Sequence, residues 1–365
     1  MRNLKLGFIG LGLIGGSIAK AAKQIHENIT IIAYNRSEKS RILAQNDHVA
    51  DIVTDTIDER FSDCDYIFLC TPVEQNIRYL TVLKDLILPT CIITDVGSVK
   101  QNIHLAIEQL GLTKHFIGGH PMAGSEKTGY ENASSHLLEN AYYILTPTAN
   151  VSRERVNELY EIIRLIGAIP IILDDQEHDF AVAAISHVPH LIAACLVNLV
   201  KDNDSEDEIM KLLAAGGFKD ITRIASSSPD MWQQICSTNK DNIVLLLDKY
   251  IHSLQQIMYS VNENSPNAVY DLFTKSRAYR DSFSENNHGP IQKIYSLSCD
   301  IIDESGAIRN VANILADNKI SIKNIGIVNN REYEGGVLKI QFHDKNTMEL
   351  AGKLLSDYGY VLYPN

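Results

Sequence analysis

The apolar residues in the first half of the chain form short continuous runs, separated by amphipathic segments of helical length. These runs are residues 4–9, 29–34, 65–70, 91–95, 116–118, 142–145 and 168–173. Continuous apolar strands that alternate with helices are typical of a mostly parallel sheet covered by helices on both faces. We therefore predict an α/β domain over residues 1–173.

The pattern becomes helical over residues 174–282. A long apolar stretch starts near Gln176 and continues to Val200. Pro189 should kink or distort this helix, because proline has no backbone N–H to donate. One-sided apolar stripes of this length often pack against a second subunit, so we predict an all-helical domain that binds substrate and dimerises.

A polar linker over residues 281–290 precedes a third pattern in residues 291–365. Strands are predicted at 292–302, 320–328, 336–342 and 360–363, with helices at 307–317 and 345–358. The order strand-helix-strand-strand-helix-strand predicts a ferredoxin-like α+β domain.

A G-x-G-x-x-G motif joins the first strand to the first helix. Gly10 permits the tight turn, Gly12 lets backbone approach a pyrophosphate, and Gly15 lets the helix pack on the strand. The phosphates would lie at the helix N-terminus, beside Leu13 and Ile14. The motif predicts that the first domain is a Rossmann-type dinucleotide-binding domain.

The second strand ends in Asn35 and Arg36, where an acidic residue would favour NAD by accepting from the ribose hydroxyls. Asn35 can still bond a hydroxyl, whereas Arg36 could stack on adenine or meet a 2′-phosphate. We expect NAD as the cofactor and leave NADP open.

Polar residues stand at the carboxyl ends of the later strands, where such sheets bind their ligands. Thr71, Pro72, Ser98 and His120 are placed there. His120 follows a short apolar strand in a loop of small residues, and histidine is well suited to accept a proton near neutral pH. Ser98 and His120 should share one crevice with the cofactor, although Ser98 could instead cap the next helix.

Composition excludes several classes of partner. The 365 residues carry a net charge of −12, which argues against a nucleic acid or an anionic membrane. No apolar run is expected to reach membrane-spanning length, and the chain enters a strand without a signal peptide. The six cysteines contain no C-x-x-C pair, as expected of reduced thiols in a cytoplasmic protein without a metal site.

Four motifs in order give the chain a resemblance to the prephenate dehydrogenase family of tyrosine biosynthesis. They are residues 95–100 (DVGSVK), 119–126 (GHPMAGSE), 186–190 (SHVPH) and 216–225 (GGFKDITRIA). The resemblance covers the whole dehydrogenase portion, and the C-terminal pattern resembles an ACT domain. It implies NAD-dependent oxidative decarboxylation of prephenate to 4-hydroxyphenylpyruvate.

The resemblance assigns three catalytic residues. His120 would accept the proton of the substrate hydroxyl, and Ser98 would orient both the histidine and that hydroxyl. Glu126 would gate the pocket, or it is simply an acidic residue at a helix start.

The resemblance also assigns substrate-binding residues. Arg223 would hold a carboxylate through its guanidinium, and His190 would lie near the second carboxylate. Gly216 belongs to the same motif as Arg223. Arg223 could alternatively form a surface ion pair. His187 and His190 form an H-x-x-H pair, but no further ligand completes a metal site.

The ACT resemblance implies L-tyrosine as a feedback inhibitor. The implied effector residues are Asp303, Ser305, Gly306, Ala307, Ile308, Asn324 and Ile325. Ser305 stands where the family usually has proline. The alternative is a dimerisation module without a ligand.

Other functions stay open. Arogenate dehydrogenase uses the same chemistry on a substrate with an amine, and a β-hydroxyacid dehydrogenase would need Lys219 as its catalytic lysine. A non-catalytic dinucleotide and amino-acid sensor is disfavoured by His120 and Arg223, because a sensor needs no general base. In every case we expect a homodimer or a higher homo-oligomer.

Overall fold

The computed structural model describes residues 3–25, 28–124, 127–263, 265–285, 295–301, 304–328, 336–342 and 344–364. The chain divides into two compact units, Met1–Met258 and Tyr259–Asn365. The first unit contains both the α/β sheet and most of the helical region. The domain boundaries predicted at residues 173 and 282 stay predictions.

A large twisted sheet forms the centre of the first unit. Its strands are β1 (Leu4–Ile9), β2 (Ile29–Tyr34), β3 (Ile52–Thr54), β4 (Tyr66–Leu69), β5 (Ile92–Asp95), β6 (Phe116–Pro121), β7 (Tyr142–Pro147) and β8 (Ile169–Ile172). The strand order is β3-β2-β1-β4-β5-β6-β7-β8, and only β6 and β7 pair antiparallel among these neighbours. The predicted mostly parallel sheet is confirmed, and the short β3 is an addition.

Helices cover both faces of this sheet. They are α1 (Leu13–Ile25), α2 (Glu38–Asn46), α3 (Val73–Leu83), α4 (Gln101–Gln109) and α5 (Arg153–Leu165). Successive residues of β1 enter opposite cores: Phe8 stacks on Phe68 with ring centroids 5.0 Å apart, while Ile9 packs with Leu69 and Leu80 in the other core. Burial on both faces explains why the strands are continuously apolar.

A long helical segment follows the sheet. It consists of α6 (Asp175–Val182), a π-helical turn over Ala183–His187, and α7 (Val188–Asn203). The distortion predicted at Pro189 therefore lies in the π-helical turn before it, where each backbone hydrogen bond spans five residues instead of four. By length and composition, Asp175–Asn203 could cross a membrane, so the expectation that no apolar run reaches that length is wrong for this segment.

Shorter helices complete the first unit. They are α8 (Ile209–Leu213), α9 (Gly216–Thr222), a 3₁₀ turn over Arg223–Ser226, α10 (Pro229–Thr238) and α11 (Lys240–Asn262), which runs past the unit boundary. Apolar side chains here stay open to solvent: Leu212 is 77% exposed and Leu213 is 71% exposed. An apolar surface of this kind is typical of an interface with another protein.

The second unit contains α12 (Pro266–Glu285), β9 (Tyr295–Ile301), α13 (Ala307–Asp317), β10 (Asn324–Val328), β11 (Gly336–Phe342), α14 (Lys345–Asp357) and β12 (Leu362–Pro364). The sheet is antiparallel with order β10-β11-β9-β12, which confirms the ferredoxin-like plan. The predicted linker is wrong in its first half, because residues 281–285 continue α12.

Candidate active site

The glycine loop after β1 has the shape that a dinucleotide needs. Gly10 has a φ of +101°, and a Cβ there would lie 2.7 Å from the Thr71 side chain. A Cβ on Gly15 would lie 2.8 Å from Cys70 Cβ, so this position is closed by packing. At Gly12, by contrast, no described atom lies within 4 Å of a built Cβ. The loop is therefore open at the glycine where a pyrophosphate would approach, next to the start of α1 at Leu13 and Ile14.

The end of β2 is tied to this loop. The Asn35 side-chain amide donates to the carbonyl of Leu11 (3.3 Å), and the Arg41 guanidinium donates to the carbonyls of Asn35 (2.7 Å) and Arg36 (3.1 Å). Arg36 itself is exposed. Both residues predicted to meet the adenosine therefore follow the strand that borders the glycine loop.

A cavity of about 260 Å³ lies beyond the carboxyl ends of β4 and β5. Its lining residues are Thr71, Pro72, Val73, Gly97, Ser98, Val99, Asp230, Met231, Gln234, Ile235 and Thr238. The predicted residues Thr71, Pro72 and Ser98 thus come together under α10. The contribution of α10 to this cavity was not predicted from the sequence, although Asp230 and Gln234 lie one helical turn apart on the same face. A larger groove of about 730 Å³ lies at the opposite ends of β1 and β2 and contains none of the predicted site residues.

His120 lies within β6, opposite Ile144 of β7, and not in a loop as predicted. The antiparallel pairing with β7 extends the strand beyond its apolar start to Pro121. Since strand residues are held by ladder hydrogen bonds, the backbone of His120 is fixed more firmly than a loop would fix it.

A buried ion pair connects the loop after β5 to the strand that carries His120. The ammonium of Lys100 donates to the Asp95 carboxylate and to the Gly119 carbonyl (2.6 Å), and the Gly119 N–H donates to Asp95 (3.1 Å). Both charged side chains are completely buried. Burial lowers the pKa of Lys100, while Asp95 acts in the opposite direction. The pair links the segment containing Ser98 to the residue before His120.

A second buried network holds the imidazole of His120. Its Nδ1 lies 2.8 Å from Nε2 of His178, and Nδ1 of His178 lies 2.8 Å from the Asp179 carboxylate. We call these three side chains the His–His–Asp array. His178 and Asp179 are fully buried on α6, and the sequence reasoning gave neither a role. The local signal was a His-Asp pair just before the apolar residues that begin at Phe180.

Asp179 also caps α4. Its carboxylate accepts the backbone N–H of Lys100 (2.8 Å) and of Gln101 (2.9 Å). The alternative interpretation of Ser98 as the helix cap is therefore wrong, since the cap comes from another helix. Ser98 remains at the cavity, half-buried.

Burial and neighbouring charges lower the pKa of two histidines at this site. Burial holds the pKa of His120 well below its ordinary value, and His178, Lys100 and His187 act in the same direction. Burial also lowers the pKa of His187 to about 4, and Asn239 lies 3.2 Å from its Nδ1. A neutral imidazole at position 120 has a lone pair with which to accept a proton.

The residues predicted to bind substrate lie on and next to α7. His190 Nδ1 donates to the Ser186 carbonyl (2.8 Å), and its ring stacks on Trp232 with centroids 4.0 Å apart. Arg223 is exposed and begins the 3₁₀ turn, which packs against α7. Gly216 begins α9 and is exposed. Within the described residues, the indole N–H of Trp232 is buried without a hydrogen-bond partner.

The predicted effector loop lies in the second unit. Gly306 has a φ of +101° and directly precedes α13, with Ser305 and Ile308 exposed beside it. Asn324 and Ile325 begin β10. Ala307, the first residue of α13, is half-buried. Asp303 and the predicted catalytic Glu126 lie outside the described residues.

A glycine loop at the first strand-helix turn, a crevice at the sheet edge and a neutral histidine on a neighbouring strand define a dinucleotide-dependent oxidoreductase. Comparison with known families narrows this class. The model of the prephenate dehydrogenase nucleotide-binding domain matches residues 18–172, and that of the prephenate dehydrogenase dimerization domain matches residues 174–275. The chain belongs to the prephenate dehydrogenase family.

Individual relatives agree with this assignment. A prephenate dehydrogenase from Bacillus subtilis (strain 168) is 37% identical over 344 residues, covering 94% of this chain and 93% of its own. The prephenate dehydrogenase of A. aeolicus, solved with hydroxyphenyl propionate and NAD+, gives a TM-score of 0.72 at 28% identity over 78% of this chain and 99% of that one. Synechocystis arogenate dehydrogenase gives 0.69 at 30% identity over 77% of this chain and 100% of that one.

Proposed function

We propose that this chain oxidises and decarboxylates prephenate to 4-hydroxyphenylpyruvate, with NAD as the hydride acceptor and His120 as the base. The observation that carries the proposal is the neutral, anchored imidazole of His120 on the strand next to β5, whose end forms the cofactor crevice. Family membership supplies the substrate class.

The residues of the first unit fit NAD. Gly10, Gly12 and Gly15 with the start of α1 would hold the pyrophosphate, and Asn35 and Arg36 would hold the adenosine. Thr71, Pro72 and Ser98 would line the nicotinamide end of the same crevice. When bound, NAD accepts the hydride that leaves C4 of the substrate.

The protein's part in the chemistry is one proton transfer. His120 takes the proton of the C4 hydroxyl as that carbon is oxidised, and Ser98 orients the hydroxyl. The bond to the ring carboxylate then breaks, CO₂ leaves, and its electron pair enters the ring. The ring becomes aromatic, and the new phenolate oxygen takes the proton back from His120. The balance is one hydride transferred and one CO₂ released.

Two basic side chains bind the substrate carboxylates. Arg223 offers a planar fork that matches a carboxylate, and His190 lies on α7, against which the Arg223 turn packs. Gly216 lets backbone approach the same ligand, and Glu126 gates the pocket.

Arogenate is the second candidate substrate, because a Synechocystis arogenate dehydrogenase is among the similar structures. Steady-state NADH formation with prephenate and arogenate, side by side, tests both. We expect a higher kcat/KM with prephenate. A higher kcat/KM with arogenate would make arogenate the substrate in place of prephenate. If neither compound is turned over, the proposed activity is overturned.

Two further properties complete the proposal. The chain forms a homodimer through the helices that leave Leu212 and Leu213 exposed. L-Tyrosine inhibits by binding the loop at Ser305 and Gly306 together with the start of β10. Tyrosine inhibition of the full chain should weaken in Gly306→Ala, where a side chain at φ +101° strains the loop. Unchanged inhibition in this variant would place the effector elsewhere.

A further inference from the structure

The His–His–Asp array has a defined direction of hydrogen bonding. The Asp179 carboxylate is met by the backbone N–H groups of Lys100 and Gln101 and by Nδ1 of His178, at 2.8 to 2.9 Å. An ionised carboxylate only accepts hydrogen bonds. His178 must therefore carry a proton on Nδ1 and donate it to Asp179.

With His178 neutral, which is a premise of the inference, this direction sets the tautomer of the next ring. A neutral imidazole has one donor and one acceptor nitrogen, so His178 with a proton on Nδ1 accepts at Nε2. The partner of that Nε2 is Nδ1 of His120, at 2.8 Å. His120 is then the donor in this bond and carries its single proton on Nδ1. Its Nε2 is left with a lone pair, as a base requires.

We propose that His178 is a positioning residue that, with Asp179 behind it, sets the tautomer of His120 and shares the positive charge once His120 is protonated. The inference rests on the proposed role of His120 as base. When Nε2 of His120 takes the substrate proton, the proton on Nδ1 of His120 is shared with Nε2 of His178. When the phenolate takes its proton back from Nε2, the Nδ1 proton belongs to His120 alone again. Over the whole reaction the array neither gains nor loses a proton, because the proton that His120 takes from the substrate hydroxyl returns to the phenolate.

The other charges around His120 make such support necessary. Burial disfavours a cation at position 120, and so would a positive charge on His178, Lys100 or His187, while Asp95 is already paired with Lys100. Asp179 is the carboxylate that hydrogen bonds connect to His120. Removing His178 should therefore raise the activation free energy of the step that forms the cation, by about the free energy of one charge-assisted hydrogen bond.

The first test needs no substitution. In full-length protein labelled with ¹⁵N-histidine, the two ring nitrogens of His120 report its tautomer, and the His120→Asn spectrum assigns them. We expect the proton on Nδ1 and none on Nε2 at pH 8. A proton on Nε2 overturns the proposal.

The second test compares His178→Phe with His178→Gln. Phenylalanine removes the acceptor, so we expect kcat to fall roughly 10- to 100-fold while KM for prephenate and NAD affinity change less than about twofold. The glutamine carbonyl can accept from Nδ1 but cannot take a proton, so kcat should lie between those of wild type and His178→Phe. A kcat near wild type in both variants contradicts the proposal.

A matched control separates this effect from general damage. His104 is a half-buried histidine on α4 whose Nε2 lies 2.9 Å from Thr146 Oγ1, outside the array. His104→Gln should leave kcat and the His120 tautomer unchanged, and a loss like that of His178→Phe would refute a specific role. If His120→Asn retains full activity, His120 is not the base, and the part of the proposed function on which this inference rests fails. If His120→Asn is inactive while both His178 variants keep full activity, only the positioning role fails.

Discussion

The two ends of the proposed substrate site are built in different ways. At the proton-accepting end, His120, Lys100 and Asp179 are joined by hydrogen bonds from a strand, a loop and a helix, and the supporting side chains are fully buried. At the carboxylate-binding end, Arg223 is exposed on a 3₁₀ turn between short helices. The base is therefore preorganised by buried contacts within one chain, whereas the arginine lies on an exposed surface of the helical region.

The strongest test of the buried end is His120→Asn. Asparagine keeps a polar group but cannot accept the proton at neutral pH, so kcat should fall by roughly 10²- to 10⁴-fold. NAD affinity, measured by fluorescence titration, should not change, because the glycine loop is untouched. Near-normal turnover would remove His120 as the base.

A substitution at the exposed, carboxylate-binding end should change KM and not kcat. Arg223→Ala removes a guanidinium–carboxylate interaction worth about 1.5–3 kcal/mol, so KM for prephenate should rise about 10- to 100-fold. NAD affinity should stay the same. Arg223→Lys keeps the charge without the fork and should recover part of the loss. An unchanged KM in the alanine variant would mean that the carboxylate binds elsewhere.

The buried end should also make stability depend on pH. The pKa of His187 falls from 6.5 in an unfolded chain to about 4 in the fold, so the unfolded state binds more protons below pH 6.5. Stability is fully present above pH 6.5 and is lost as the pH falls towards 4. For this group the loss is about 2 kcal/mol between pH 7.5 and pH 5.

Urea unfolding followed by the single tryptophan, Trp232, can measure this loss, since its ring contacts His187 and His190. His187→Gln should flatten the pH dependence even if it lowers stability overall. An equally steep dependence in that variant would assign the effect to other groups.

The contrast between the two ends also explains what could be predicted from the sequence. Strand β2 and helix α13 have the bounds predicted, because their apolar patterns are local. The His120–His178 contact joins positions 58 residues apart, and the α4 cap joins positions 79 apart. No local pattern encodes such pairs. The alternative role of Ser98 as a helix cap rested on its place before a helix, and the cap is instead supplied by Asp179 through tertiary packing.

The position of His120 shows the same limit at shorter range. Its glycine-rich surroundings suggested a loop, since glycine is disfavoured in strands. Pairing with β7 overrides that preference. The apolar surface around Leu212 was predicted as one-sided stripes, but its exposure in a single chain only became measurable in the structure.

The smallest expected effect concerns the cofactor and not either end of the substrate site. Asn35 directly follows β2, the strand that borders the glycine loop, so a carboxylate here would lie where the adenosine ribose is proposed to bind, although it would lose the amide's bond to the Leu11 carbonyl. Asn35→Asp should accept from the ribose hydroxyls and repel a 2′-phosphate, raising the NAD-to-NADP ratio of kcat/KM several-fold, or about 1 kcal/mol. The kcat with saturating NAD should not change, because the His–His–Asp array lies on other elements. Arg36→Ala is the matched control: it should reduce use of NADP without gaining NAD affinity. If Asn35→Asp leaves the ratio unchanged, the end of β2 does not contact the adenosine ribose.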